Sequence, residues 1–194
     1  MTPRPPRPPL PRRRDRTAGE VPGPVEGSVV RPARAADIAT IVTLHGIMAE
    51  AVGGPTEMVA AADWQQQAAR WLQLHLADER VRVVVAEVHG VVVSCALGQV
   101  LDHLPSPDDP GEQRGLVSTV VTFPAHRRRG HSEACTRELL TWFREQTEVQ
   151  VVELAAGERG VELYERLGFT AAEPLRLELR LDRLATENGP AEEG

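Results

Sequence analysis

The sequence contains no lysine: all 22 of its basic side chains are arginine, which excludes Schiff-base chemistry and a lysine general base. It has one tyrosine, Tyr164, and two cysteines, Cys95 and Cys135. Two thiols are too few for a disulfide framework. Neither stands beside a histidine or the other cysteine, so a thiol nucleophile has no support. The six histidines show no metal-ligand spacing, and no metal is expected. No apolar run approaches the ~20 residues of a membrane span, and the first 30 residues lack the apolar core of a signal peptide. The expected compartment is the cytoplasm, with no membrane partner.

What is present is 194 residues, 41% of them apolar, with a net charge of -6, room for one domain with some chain left over. The charge is unevenly divided. Residues 1–27 carry six arginines against Asp15, Glu20 and Glu26, a balance of +3, which leaves 16 against 25, or -9, for the rest. Eight of the 16 prolines also fall in that first segment. With almost nothing apolar to bury, 1–27 is expected to be a disordered Pro/Arg-rich tail. Residues 28–185 form the expected domain and 186–194 a flexible end. An acidic domain repels phosphate backbones, so nucleic acid is not an expected partner.

Between the tails the apolar spacing changes in a regular order. Val29 and Val30 begin a short strand, and Asp37 is positioned to N-cap a helix with Ile38, Ile41, Val42, His45, Met48, Ala49 and Val52 on one face, ended by Gly53 and Gly54. A second helix opened by Asp63 aligns Trp64, Ala68, Trp71, Leu72 and His75. Strands over 81–88 and 91–101 flank His89-Gly90, a hairpin connection. A loop with three prolines, 102–114, leads to a strand from Leu116 to Phe123 that Pro124 closes. After Gly130 a helix places Cys135, Leu139, Trp142 and Phe143 inward. A strand from Val149 to Leu154, a helix around 158–167 and an alternating strand through Leu175, Leu177, Leu179 and Leu181 complete the order. It predicts a mixed α/β sheet with helices on both faces.

Two stretches can carry chemistry. The first, 116–132 (LVSTVVTFPAHRRRGHS), runs from a buried strand through three arginines to a glycine at a helix start, where free N–H groups and the helix dipole attract anions. Arg127, Arg128 and Arg129 suit phosphate oxygens, although such a run taken alone is more often a solvated loop. The second, LYERLGF over 163–169, sets Tyr164 between Leu163 and Leu167. A lone tyrosine there more often packs and bonds to backbone.

Read together, the two stretches resemble the GNAT superfamily of acyl-CoA-dependent N-acyltransferases, and V-R-P-A-R-A-A-D-I over 30–38 looks like that family's first strand and helix. The narrower resemblance is to small bacterial members with an H-R-R-R-G turn. The implied fold is a mixed, mostly antiparallel twisted sheet with helices on both faces, and the implied co-substrate is acetyl-CoA. The resemblance implies that backbone groups of Val120, Val121 and Thr122 receive the pantetheine arm and thioester. It further implies that Arg127, Arg128, Arg129, Gly130, His131, Ser132 and Glu133 hold the pyrophosphate, and that Tyr164 donates a proton to the departing thiolate. Three departures stand out. Ser132 replaces the usual Gly or Ala and could add a hydroxyl contact, Gly157 replaces a frequent asparagine, and Ser118 and Thr119 stand where many members carry a glutamate.

The implied activity is acetyl transfer to a primary amine of a small molecule by direct attack. The alternatives are acetylation of a peptide or protein amine and a non-catalytic acyl-CoA-binding regulatory module; a homodimer is compatible with each. An alkyl amine with pKa near ~10.4 is charged at neutral pH, so something must take its proton. Candidates are Asp102, His103, Glu112, Glu153 or a water chain, whereas His45 and His75 read as core histidines. A backbone N–H near Val121 is the expected oxyanion donor. The resemblance implicates Met48, Glu50, Glu57, Trp71, His75 and 102–114 in lining the acceptor site.

Overall fold

The protein is seen here as a computed structural model that describes residues 27–51, 61–107, 109–157 and 160–171. Apart from Gly27, the expected N-terminal tail lies outside the described residues, as do Glu57, the 186–194 end and the expected strand through Leu175–Leu181. The chain divides into two compact units, one through Gly157 and one from Glu158.

In the first unit five strands, β1 (Ser28–Pro32), β2 (Val81–Val88), β3 (Val91–Asp102), β4 (Gln113–Thr122) and β5 (Val151–Leu154), lie in the order β1-β2-β3-β4-β5. The first three pairings are antiparallel and β4–β5 is parallel, which gives the mixed, mostly antiparallel sheet expected. The β2–β3 hairpin turns on His89 and Gly90, at φ 49° and 80°, the two positive angles that a two-residue turn of this hand requires. The β3–β4 loop is shorter than expected, because pairing runs on to Asp102 and Gln113. β5 starts late: Val149 donates its N–H to the Thr147 hydroxyl at 3.2 Å, still in the turn after a helix.

Alternation along the central strands divides the core into two layers. Val81, Val83 and Val85 of β2 face helices α1 (Ile38–Ala51) and α2 (Ala62–His75), where Ile41, Leu44 and Leu72 are buried. Val84 and Ala86 face α3 (His131–Gln146), packed through Leu139, Trp142 and Phe143. Helices therefore cover both faces. No helix of the described residues is long and apolar enough to cross a membrane.

Asp37 does not N-cap α1. It lies in a 3-10 turn over Ala35–Asp37 that leads into the helix, and Arg34 is the capping residue. Asp37 reaches back to accept the Arg34 N–H at 2.7 Å and two bonds from Arg31, at 2.7 and 3.1 Å. Arg31 also donates to Glu87. Pro32 closes the strand before a helix can start, so the carboxylate serves the third position of the turn rather than the first. In the second unit α4 (Val161–Arg166) is shorter than expected, with Gly160 as its N-cap.

Candidate active site

β4 ends at a turn that changes direction within eight residues. Pro124 opens a 3-10 turn through His126, Arg128 takes the left-handed conformation at φ 62°, and Gly130 caps α3 at φ 84°. A side chain at Gly130 would be strained at that angle. The first N–H groups of α3 have no acceptor within the helix, and Ala134 is the residue that donates to the Gly130 carbonyl. Arg127, Arg128 and Arg129 are exposed around this start; Arg127 is tied back by its Nε to the Thr122 carbonyl at 3.2 Å. Left-handed backbone, the N-terminal end of a helix and three cations in one turn fit a pyrophosphate.

The side chains of the helix start, His131, Ser132 and Glu133, turn inward. Both ring nitrogens of His131 are buried without a hydrogen-bond partner among the described residues. Burial, with His126 and Arg129 nearby, pushes its pKa down, so the ring is neutral beside the positive helix end. Glu133, whose charge would oppose an anion, is clasped by Arg137 at 2.8 Å. The Ser132 hydroxyl lies 2.7 Å from that of Thr122, which is 2.8 Å from that of Ser94. Ser94 donates its one proton to the Val121 carbonyl, so Thr122 donates to Ser94 and Ser132 to Thr122. The Ser132 proton is thus committed inward. The Ser132 hydroxyl links the helix start to β4.

On the β5 side, the pairing of β4 stops at Val117–Leu154, which leaves residues 118–122 with an open edge toward that strand. The N–H of Phe123 donates to the Val93 carbonyl, and Cys95 pairs with Val121. By the alternation of an antiparallel ladder, Val121 directs its backbone groups at β3, and those of Val120 and the N–H of Thr122 face the open edge. Of the three residues expected to offer backbone groups, Val120 and Thr122 are therefore the ones with an N–H on the open edge.

β4 also holds a bulge. Ala96 pairs with Val120 and Gly98 with Val117, so β4 spends one residue more than β3 across Ser118–Thr119. The extra residue changes which face the strand presents: Val117 packs on the α3 side, while Thr119 faces α1. There its hydroxyl lies 3.2 Å from Nδ1 of His45. Both line a cavity of about 200 Å³ between α1, α2 and the sheet, whose other walls include Ile41, Ala68, Trp71 and Leu97. His45, read from sequence as a core histidine, is only partly buried at this cavity, with the Trp64 ring 5.9 Å away. No local signal reveals this, because its partner is 74 residues distant.

The other candidates divide. Trp71 lines the cavity, and His75 stacks on it at 4.3 Å while its Nδ1 donates to the Trp71 carbonyl. Glu50 lines an open groove between α1 and α2 instead. Asp102 is exposed and paired with Arg80 at 2.6 Å, and that partner holds its pKa down. His103 sits 3.2 Å from the buried Asp109, which also accepts from Arg114 at 2.6 Å. Glu112 and Glu153 are exposed, the latter 3.6 Å from Arg114. Gly157 has open space where a Cβ would stand, so packing does not forbid an asparagine there. Tyr164, in the second unit, meets Phe169 edge-on at 5.9 Å; it is partly buried, and burial pushes its pKa up from 10.

Residues 48–169 match the acetyltransferase (GNAT) family, and the chain belongs to that family, whose members transfer acyl groups from acetyl-CoA. A predicted acetyltransferase with acetyl-CoA from Clostridium acetobutylicum is similar, at 20% identity and TM-score 0.69, over 80% of this chain and 97% of that one. A GCN5-related N-acetyltransferase from Ralstonia eutropha reaches 25% identity and TM-score 0.69, over 79% and 99%. Glucosamine-6-phosphate N-acetyltransferase from Arabidopsis thaliana shares the fold at 14% identity and TM-score 0.61, over 81% and 100%. No curated protein matches the sequence significantly.

Proposed function

We propose that the protein moves an acetyl group from acetyl-CoA to a primary amine of a small molecule by direct attack, with Tyr164 as general acid. The turn carries the reading: left-handed backbone at Arg128 and Gly130 opens a helix directly after an open-edged strand. Val120 and Thr122 offer N–H groups to a polarised carbonyl oxygen. Tyr164, with its pKa raised above that of an ordinary tyrosine, keeps its proton at neutral pH and can pass it to a thiolate whose conjugate acid is near ~8.5. A small acceptor is favoured by a cavity of about 200 Å³, below the roughly 300–1,000 Å³ of drug-sized pockets.

One experiment tests this reading. Acetyl-CoA well above micromolar concentration raises the thermal midpoint by a few degrees, and an amine panel scored by thiol release then finds an acceptor. Tyr164→Phe keeps the midpoint shift and lowers kcat by about 10²-fold or more. No shift in the wild-type protein overturns the assignment, and unchanged turnover in the variant overturns the acid role. A shift with no turnover on any amine points to the non-catalytic acyl-CoA module, which Gly157 supports. Preference for peptides points to a protein acceptor.

A further inference from the structure

The cavity beside β4 has a mostly apolar lining, in which the ring of His45 and the hydroxyl of Thr119 face each other 3.2 Å apart. The bulge at Ser118–Thr119 is what brings them together, since without the extra residue Thr119 would share the α3 face with Val117. Thr119 is the immediate neighbour of Val120, whose backbone groups lie on the open edge of β4. Among the described residues no carboxylate lines the cavity. A buried ammonium would meet no counter-charge from these lining residues, so the space they bound suits an amine in its free-base form with an apolar body.

Resting on the acetyl-transfer reading above, we propose that the acceptor is a small primary amine with an apolar aromatic or branched body, held in this cavity, and that His45 takes the proton released when its nitrogen attacks. With Nδ1–H donated to Thr119, Nε2 keeps the lone pair. As the C–N bond forms, the nitrogen carries a surplus proton, which passes to Nε2 of His45. The C–S bond breaks with its electron pair leaving on sulfur, which takes the Tyr164 proton, and solvent restores both side chains. The ring is available as a base because burial pushes its pKa down. The groups around it do not reverse this. α2 presents Trp64 and Trp71, β2 presents Val83, and β4 presents Thr119. β3 presents Cys95, a thiol that burial keeps protonated.

The test compares phenethylamine and isoamylamine with spermidine, glucosamine and a short peptide, in wild-type protein and in His45→Gln. The wild type is expected to prefer the two apolar amines, with kcat rising through a pKa below the ordinary histidine value of about 6.5. His45→Gln is expected to keep the acetyl-CoA midpoint shift, lose about 10²-fold or more in kcat and lose that acid limb. If His45→Gln does not fold, Thr119→Val replaces it, with a shifted acid limb and reduced kcat expected. Phenethylamine binding is also read in the wild type through Trp64 and Trp71 fluorescence. An acetyl-CoA shift with spermidine or peptide preferred, no phenethylamine binding, or an unchanged pH profile in the variant overturns this inference alone. Absence of the acetyl-CoA shift overturns the underlying reading as well.

Discussion

Arg31 donates to two carboxylates brought from different parts of the chain, Asp37 six residues on and Glu87 on the neighbouring strand. Asp37 also holds the Arg34 N–H, so one side chain fixes both the entry to α1 and the pairing of β1. The Arg31 guanidinium, foremost, pulls the Asp37 pKa below its ordinary value of 3.8. A depressed carboxylate contributes stability above its unfolded pKa and loses it as pH falls through the folded one. Asp37→Asn is expected to cost about 2 kcal/mol at neutral pH by urea unfolding. The gap between wild type and variant is expected to close below about pH 4; a gap independent of pH would show that the carboxylate's charge is not what matters.

At the scale of elements, the seat of α3 depends on two glycines in adjacent strands. A Cβ on Gly115 would stand 2.8 Å from Phe143 and 3.0 Å from Val152, and one on Gly98 would stand 3.1 Å from Phe143. The helix lies close to β3 and β4 because no side chains hold it away, and its N-terminus is the candidate pyrophosphate site. Gly115→Ala is expected to destabilise by about 1–3 kcal/mol through overpacking and to weaken the acetyl-CoA midpoint shift, because the helix start moves with the helix. A variant with wild-type midpoint and wild-type shift would show that Phe143 yields freely. The bulge in β4 acts in a similar way, with one inserted residue deciding which side chain meets α1.

Across the molecule, both thiols lie in the core. Cys95 and Cys135 are fully buried, and burial pushes the Cys135 pKa up to about 12 and that of Cys95 higher still. Neither is a reactive thiolate at neutral pH. The native protein is expected to leave a disulfide reagent unconsumed for minutes at pH 8, and to release two equivalents once unfolded in guanidinium. Thiol appearing in an acetyl-transfer assay then reports the co-substrate alone. A rapidly titrating thiol in the native state would overturn this.

The sequence by itself determined the features that short-range physics controls. Apolar periodicity placed α1, α2 and α3 and the five described strands within a few residues, and glycine with a proline stop located the turn at 124–130. The spacing of that turn from Tyr164 carried the family likeness. Short-range rules also failed where two of them competed, as at Asp37, whose carboxylate suits either the first or the third position of a helical turn. Tertiary structure alone decided the rest. Alternation along β4 reads the wrong face beyond Val117, because a bulge is a mismatch between two strands and neither sequence records it. The same register turns Val121 toward β3 and leaves the open edge to Val120 and Thr122. His45 looks like any core histidine on its own helix; its meaning comes from a hydroxyl 74 residues away, and only the folded sheet brings the two to one cavity.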